Sequence, residues 1–88
     1  MNKYIVEFVG TMFFVYVILA TGNALAIGAA LTIAILVGGP VSGGAFNPAV
    51  AVALVASGKL PQSDIVPYVL AEVAGALAAY QIWKYSIF

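Results

Sequence analysis

The sequence predicts an all-α membrane protein: three transmembrane helices plus one re-entrant half-helix. Three observations lead there. Hydrophobic residues make up 65% of the 88-residue chain and charged residues only 7%, against about 25% charged in an ordinary soluble domain. Such a chain cannot clothe itself in a solvated surface, so the bilayer is its solvent; an unusually apolar soluble helical bundle is the competing reading, and composition speaks against it. Three apolar runs approach the roughly 20 residues that a membrane helix needs. A fourth apolar segment, broken by Gly43, Gly44 and Pro48, is too short to cross.

The first span is expected over about 4–21, YIVEFVGTMFFVYVILAT, with Glu7 its one charge. A signal peptide would begin much as Met1-Asn2-Lys3 does, but the apolar run continues to about Ala20 without a cleavage pattern and reads as a retained span. Thr21-Gly22-Asn23 leaves room only for a tight turn, so the second span, about 24–38, is an antiparallel neighbour. Its Ala- and Gly-rich stretch LAIGAALTIAIL suits close helix packing in lipid, where van der Waals contact replaces the hydrophobic drive. Gly38-Gly39-Pro40 is expected to end it.

The segment 40–57 follows. Its helical part, from Pro48 to about Ser57, would rise about 15 Å at 1.5 Å per residue, half of a hydrocarbon core. Irregular backbone at that depth is tolerated only when buried in protein or lining a water-filled cavity, so the chain is expected to dip in as a loop and return as a helix to the same side. Lys59 to Asp64 is a polar connection. Pro67 suits a helix start. The third span, about 65–86, ends in the interfacial cluster Trp83-Lys84-Tyr85. The whole reads as a single membrane domain without soluble domain, linker or internal repeat.

Three Lys balance Glu7, Asp64 and Glu72, and no basic run points to nucleic acid. The absence of Cys and His removes disulfides, thiolate nucleophiles, imidazole bases and most transition-metal sites. Glu7 and Glu72 lack a partner constellation for acid–base work. No enzyme activity and no cofactor are implied.

Asn47-Pro48 is the sharpest local signal, a strong N-cap followed by the residue best suited to the first helical position. Such a helix start carries free N–H groups and a positive dipole end; at mid-membrane it repels cations, and the Asn47 amide would donate to a passing oxygen. An ordinary capped surface helix is the bland alternative, which the apolar setting after Gly-Gly disfavours. In Ser42-Gly43-Gly44-Ala45, glycines would let backbone carbonyls face a lumen and replace the hydration of a crossing molecule; a simple flexible turn fits equally well. Glu7, an ionisable group inside a span, should face the bundle and accept from loop N–H groups, or else pair with Lys3 four residues earlier near the interface. Glu72 would do the same work or simply reach the interface. Phe13, Phe14 and Tyr16 read as packing or lipid-facing residues, and Gly10, Gly28 and Gly75 as helix-crossing points.

At SGGAFNPAV the sequence resembles the major intrinsic protein family, the aquaporins and glycerol facilitators. VEFVGTMFFVYV with Glu7 is similar to that family's first helix, LAIGAALTIAI to its second, and PYVLAEVAGALAAY to its third, where Gln is usual at the Glu72 position. The resemblance covers nearly the whole chain, in order and with compatible spacing. It implies one of two inverted halves, each contributing three spans and one half-helix bearing Asn-Pro-Ala. Val50 after Asn47-Pro48-Ala49 resembles the first half; the second half usually has Arg there. The chain contains no Arg, the His common at the Ala45 position is missing, and by gapless spacing Ile27 falls where the family places its second-helix filter residue. Two copies would give an apolar, Arg-free constriction.

The resemblance therefore implies passive conduction of water or a small neutral solute such as glycerol. Asn47, Pro48 and Ala49 would form the half-helix tip, carbonyls of Gly43, Gly44 and Ala45 would accept from the permeant, and Ile27 and Val50 would line or flank the constriction. Glu7 and Glu72 would brace the loop. The expected partners are the lipid bilayer and an inverted copy of the chain, with eight copies making four pores if the family's tetramer is kept. A non-conducting membrane interaction protein retaining the half-channel fold is the alternative from another class, and a gas or broader solute pore a third.

Overall fold

The computed structural model describes residues 2–86. Among them lie four α-helices, α1 (Lys3–Thr21), α2 (Ala24–Ser42), α3 (Pro48–Ala56) and α4 (Ile65–Lys84), the last entered through a 3-10 turn over Gln62–Asp64, and no strand. Among these residues, three stretches are long and apolar enough to cross a membrane: Lys3–Thr21, Ala24–Ser42 and Gln62–Lys84.

Asparagine starts three of the four helices. The side chains of Asn2, Asn23 and Asn47 accept from the N–H groups of Tyr4, Ala26 and Ala49, satisfying donors that a first helical turn otherwise leaves open. Gly22, left-handed at φ 56°, closes α1 by donating its N–H to Ile18, so the α1–α2 turn is as tight as the sequence predicts.

The second span departs from expectation. It does not stop at Gly38; the helix runs through Gly39 and Pro40 to Ser42. Pro40 lies in the last turn, where it removes one backbone bond and leaves the preceding turns intact. The true stop is Gly43, whose φ of 87° belongs to the left-handed region that favours glycine, and whose N–H closes on Gly39. The third span, α4, also ends earlier than expected, at Lys84, with Tyr85 as its C-cap.

α1 is the hub, packed on α2 along one side and on α4 along the other, with α3 resting on α4. The buried faces carry polar or small residues at helical spacing: Glu7 and Thr11 on α1, Ala30, Ala34, Gly38 and Ser42 on α2, and Tyr68, Glu72, Gly75 and Ala79 on α4. Large apolar residues such as Leu36, Val37, Val66, Leu70 and Leu77 point outward. This is the inverse of a soluble bundle and the pattern expected where lipid is the solvent. At Gly75 the α1 and α4 backbones meet: a methyl there would sit 2.5 Å from the carbonyl oxygen of Phe8. Gly28, expected as a crossing point too, has nothing within 4 Å of where a side chain would begin.

Candidate functional site

The site is the loop 43–47, the N-terminus of α3 and the buried polar groups of α1 and α4 around them. Glu7 organises it. One carboxylate oxygen accepts from the Ser42 hydroxyl at 2.6 Å and the Ala45 N–H at 3.3 Å, and the other from the Phe46 N–H at 2.8 Å. Ser42 also takes the Gly44 N–H on its hydroxyl, while its carbonyl accepts from the Tyr68 hydroxyl at 2.6 Å. Loop and α2 terminus are thus fastened to both α1 and α4. Lys3 does not pair with Glu7: its ammonium lies 2.7 Å from Asp64, which the Tyr4 hydroxyl also reaches at 2.8 Å. Glu7 faces the loop one turn deeper, and Asp64 offers the lysine a carboxylate at the surface end.

Phe46 has a left-handed backbone, φ 54°, uncommon for a bulky residue. The turn delivers its N–H to Glu7 and its ring into the recess made by the bare Cα atoms of Gly10 and Gly38, where an added methyl on Gly10 would collide with the ring and one on Gly38 would collide with Val6 and press on the ring edge. Gly10 therefore accommodates the loop rather than a helix crossing. Above the ring, α1 and α2 form an apolar groove of about 420 Å³ lined by Val9, Phe13, Ile33 and Val37 among others.

The tip of α3 is open. Asn47, Pro48, Ala49 and Val50 are all exposed. The Asn47 side-chain oxygen is committed to the Ala49 N–H at 2.8 Å, Pro48 has no N–H, and the Ala51 N–H bonds the Asn47 carbonyl. The Asn47 amide NH2 and the Val50 N–H are left as unused donors at the positive end of the helix. Among the described residues, no donor reaches the carbonyls of Gly43, Gly44 or Ala45; Gly43 is exposed and Ala45 buried. Ile27, in the first turn of α2, lines neither the groove above nor the cavity described next.

That cavity, about 270 Å³, opens beyond the tip of α3, between Asn47, Pro48 and the remaining lengths of α1 (Thr11, Phe14, Ile18) and α4 (Glu72, Ala76). Thr11 and Glu72 stand close to the middle of their helices. Glu72 is buried near the middle of α4. Its carboxyl lies beside that of Glu7 and the Asn47 backbone amide, but neither approach closes to hydrogen-bonding geometry, and both Glu72 oxygens and the Thr11 hydroxyl are buried without a partner. Thr11, Phe46, Tyr68 and Asp64 are the site residues that the sequence reading missed. Among the described residues, no three His, Cys, Asp or Glu side chains gather as a metal site would require.

The profile of the major intrinsic protein family matches residues 18–87. The chain belongs to that family. With its three membrane-length helices it is an integral, multi-pass membrane protein. This member of the major intrinsic protein family is 40% identical to glycerol uptake facilitator protein-like 6 of Lactiplantibacillus plantarum over 88 aligned residues, covering 90% of the chain and 41% of the relative. It is 44% identical to aquaporin Z of Brucella melitensis, covering 93% of the chain and 42% of the relative. Over 56 aligned residues it is 46% identical to aquaglyceroporin AqpS of Rhizobium meliloti, covering 64% of the chain and 24% of the relative. The chain thus spans about two-fifths of the length of the first two relatives. No solved structure matches it.

Proposed function

We propose that the chain supplies one half of a passive channel for water or small neutral solutes such as glycerol, completed by a second copy inserted in the opposite orientation. The observation that carries this reading is the open tip of α3: a capped helix start with an unused amide donor, next to residues near the middle of α1 and α4, with a cavity beyond it. We read 40–57 as re-entrant. The loop leaves the end of α2 beside Glu7, reaches the depth of Thr11 and Glu72 at Asn47, and returns as α3 toward the end where Lys3 pairs with Asp64.

α3 rises about 14 Å, half of what α1 and α4 span. A second α3 entering from the other face would occupy the remaining half and bring two Asn47 amides together at the midplane. Identical antiparallel partners about an in-plane two-fold axis form a closed contact; four such pairs, eight chains, would keep the family's tetrameric plan. In that pore Asn47 donates to the permeant, the free carbonyls of Gly43, Gly44 and Ala45 accept from it, and Ile27 and Val50 flank an apolar, Arg-free constriction. The names of the three relatives, a glycerol uptake facilitator-like protein, an aquaporin and an aquaglyceroporin, support the permeant class. Stopped-flow light scattering of proteoliposomes tests conduction. Shrinkage in an impermeant osmolyte faster than in empty vesicles, with accelerated glycerol re-swelling, is the expected result; rates equal to empty vesicles identify a non-conducting protein.

A further inference from the structure

We propose that Glu72 is a neutral carboxylic acid that donates its proton to the Glu7 carboxylate, so that α4 positions the loop through its brace on α1. Both carboxyls are buried, Glu7 at 0% and Glu72 at 1% exposure, and they lie side by side. Two carboxylates so placed in apolar surroundings cannot both keep a charge. Glu7 is the one that keeps it, because it accepts from three donors: the Ser42 hydroxyl and the N–H groups of Ala45 and Phe46. Glu72 has no hydrogen bond, and both of its oxygens are closed to solvent, so water cannot relieve the cost of burying them. A proton does: it removes the charge and supplies the donor that the two carboxyls lack between them. The Asn47 backbone N–H stands beside the same carboxyl, so neutral Glu72 gives to Glu7 and takes from the start of α3. Nothing else faces it that titrates. On α1, Lys3 and Tyr4 are held by Asp64, and Tyr16 lies far along the helix beside Ser86. The loop 43–47 and α3 carry no titratable residue. On α4, Tyr68 lies one turn before Glu72 and donates to the Ser42 carbonyl. Glu72 is thus a positioning residue, acting through Glu7. This pairing of carboxyls needs no second chain; its effect on conduction rests on the channel proposed above.

Infrared spectroscopy of the full chain in an ester-free detergent reads the proton directly. At neutral pH the spectrum should hold the C=O band of a buried protonated carboxyl. That band should shift in D2O, disappear in Glu72→Gln and survive in Asp64→Asn. In Glu7→Gln it should persist but move to higher frequency, having lost its carboxylate acceptor. Absence of the band, or a melting temperature that depends on which alkali cation is present, means that Glu72 is ionised or holds a cation, and overturns the inference. A band that Glu7→Gln leaves unmoved overturns it too, since the proton is then not given to Glu7. A second measurement dispenses with the Glu7 variant. The folded chain holds one proton more than the unfolded chain, so its stability should fall as the pH rises. Relative to Glu72→Gln, whose amide keeps a donor for Glu7 without titrating, the folding equilibrium should weaken by up to about tenfold per pH unit from about pH 5 to 7. Parallel profiles for the two proteins would overturn the inference. In proteoliposomes, alkaline pH should slow water permeation by wild type and not by Glu72→Gln. Vesicles that conduct no water at any pH, with the infrared band present, would overturn the proposed channel while the carboxyl pair stands.

Discussion

The backbone N–H of Phe46 donates to the carboxylate of Glu7 at 2.8 Å across 39 positions of sequence, and this bond fixes the depth at which the loop turns over into α3. Glu7→Ala would leave the Phe46 and Ala45 N–H groups and the Ser42 hydroxyl without that acceptor. At about 1–3 kcal/mol for each buried donor abandoned, the substitution should greatly lower folded yield and apparent thermal stability in detergent. Glu7→Gln retains one acceptor oxygen and should cost markedly less. Unchanged melting of Glu7→Ala would show that the loop is held by something else.

The α1–α4 crossing gives a second expectation. A methyl at Gly75 would meet backbone, 2.5 Å from the Phe8 oxygen and 3.2 Å from the Met12 nitrogen, and neither atom yields without moving a helix. Gly75→Ala should therefore destabilise by about 1–3 kcal/mol, the usual cost of overpacking. Gly28→Ala, with open space around it, should leave the stability of the single chain unchanged. Detergent melting curves for the two variants make the comparison, and equal behaviour would contradict the close approach.

At the surface end, the Lys3 side chain is 38% exposed and that of Asp64 only 3%. Lys3→Met strands a buried carboxylate with the Tyr4 hydroxyl alone and should lower the melting temperature clearly. Asp64→Asn frees a lysine that already reaches water and keeps an oxygen for Tyr4, so it should lower the melting temperature less than Lys3→Met does. Thermal unfolding of both variants checks the order.

How much of this was legible follows from the physics of each element. The Asn47 cap, the Pro48 start and the tight Gly22-Asn23 turn are local and legible in sequence alone, whereas the equally local caps at Asn2 and Asn23 are findings of the structure. Glu7 was legible because a charge within an apolar span must find donors, and the loop was the nearest supply. The end of α2 is not legible locally: Gly38-Gly39-Pro40 has the composition of a stop, whereas the stop is the left-handed backbone at Gly43. Lys3–Asp64 lay out of reach because the pair spans 61 positions and a local partner, Glu7, competed for it. The recess that Gly10 and Gly38 make for Phe46 is a tertiary fit with no signature in local spacing.

In the proposed inverted pair, ion exclusion would follow from the α3 tip. Two helix starts facing each other at the midplane set positive potential there. Protein in planar bilayers should pass no cation current above that of bare lipid while proteoliposomes conduct water; a robust cation current would contradict the arrangement of the tips.

The central claim is that identical chains insert in both orientations and pair. The charge bias is weak: if the N-terminus is cytoplasmic, Lys3 and Lys59 lie inside and Lys84 outside. With no native cysteine in the chain, a single Lys59→Cys substitution in the exposed loop after α3 reports orientation directly. Impermeant maleimide applied to sealed proteoliposomes should label one fraction of the folded protein from outside, and the remainder only after the inner face is exposed, with Ala49→Cys cross-linking between opposed chains in parallel. Labelling from one side only, in folded protein, would contradict the inverted pair of identical chains and require a different partner for the α3 tip.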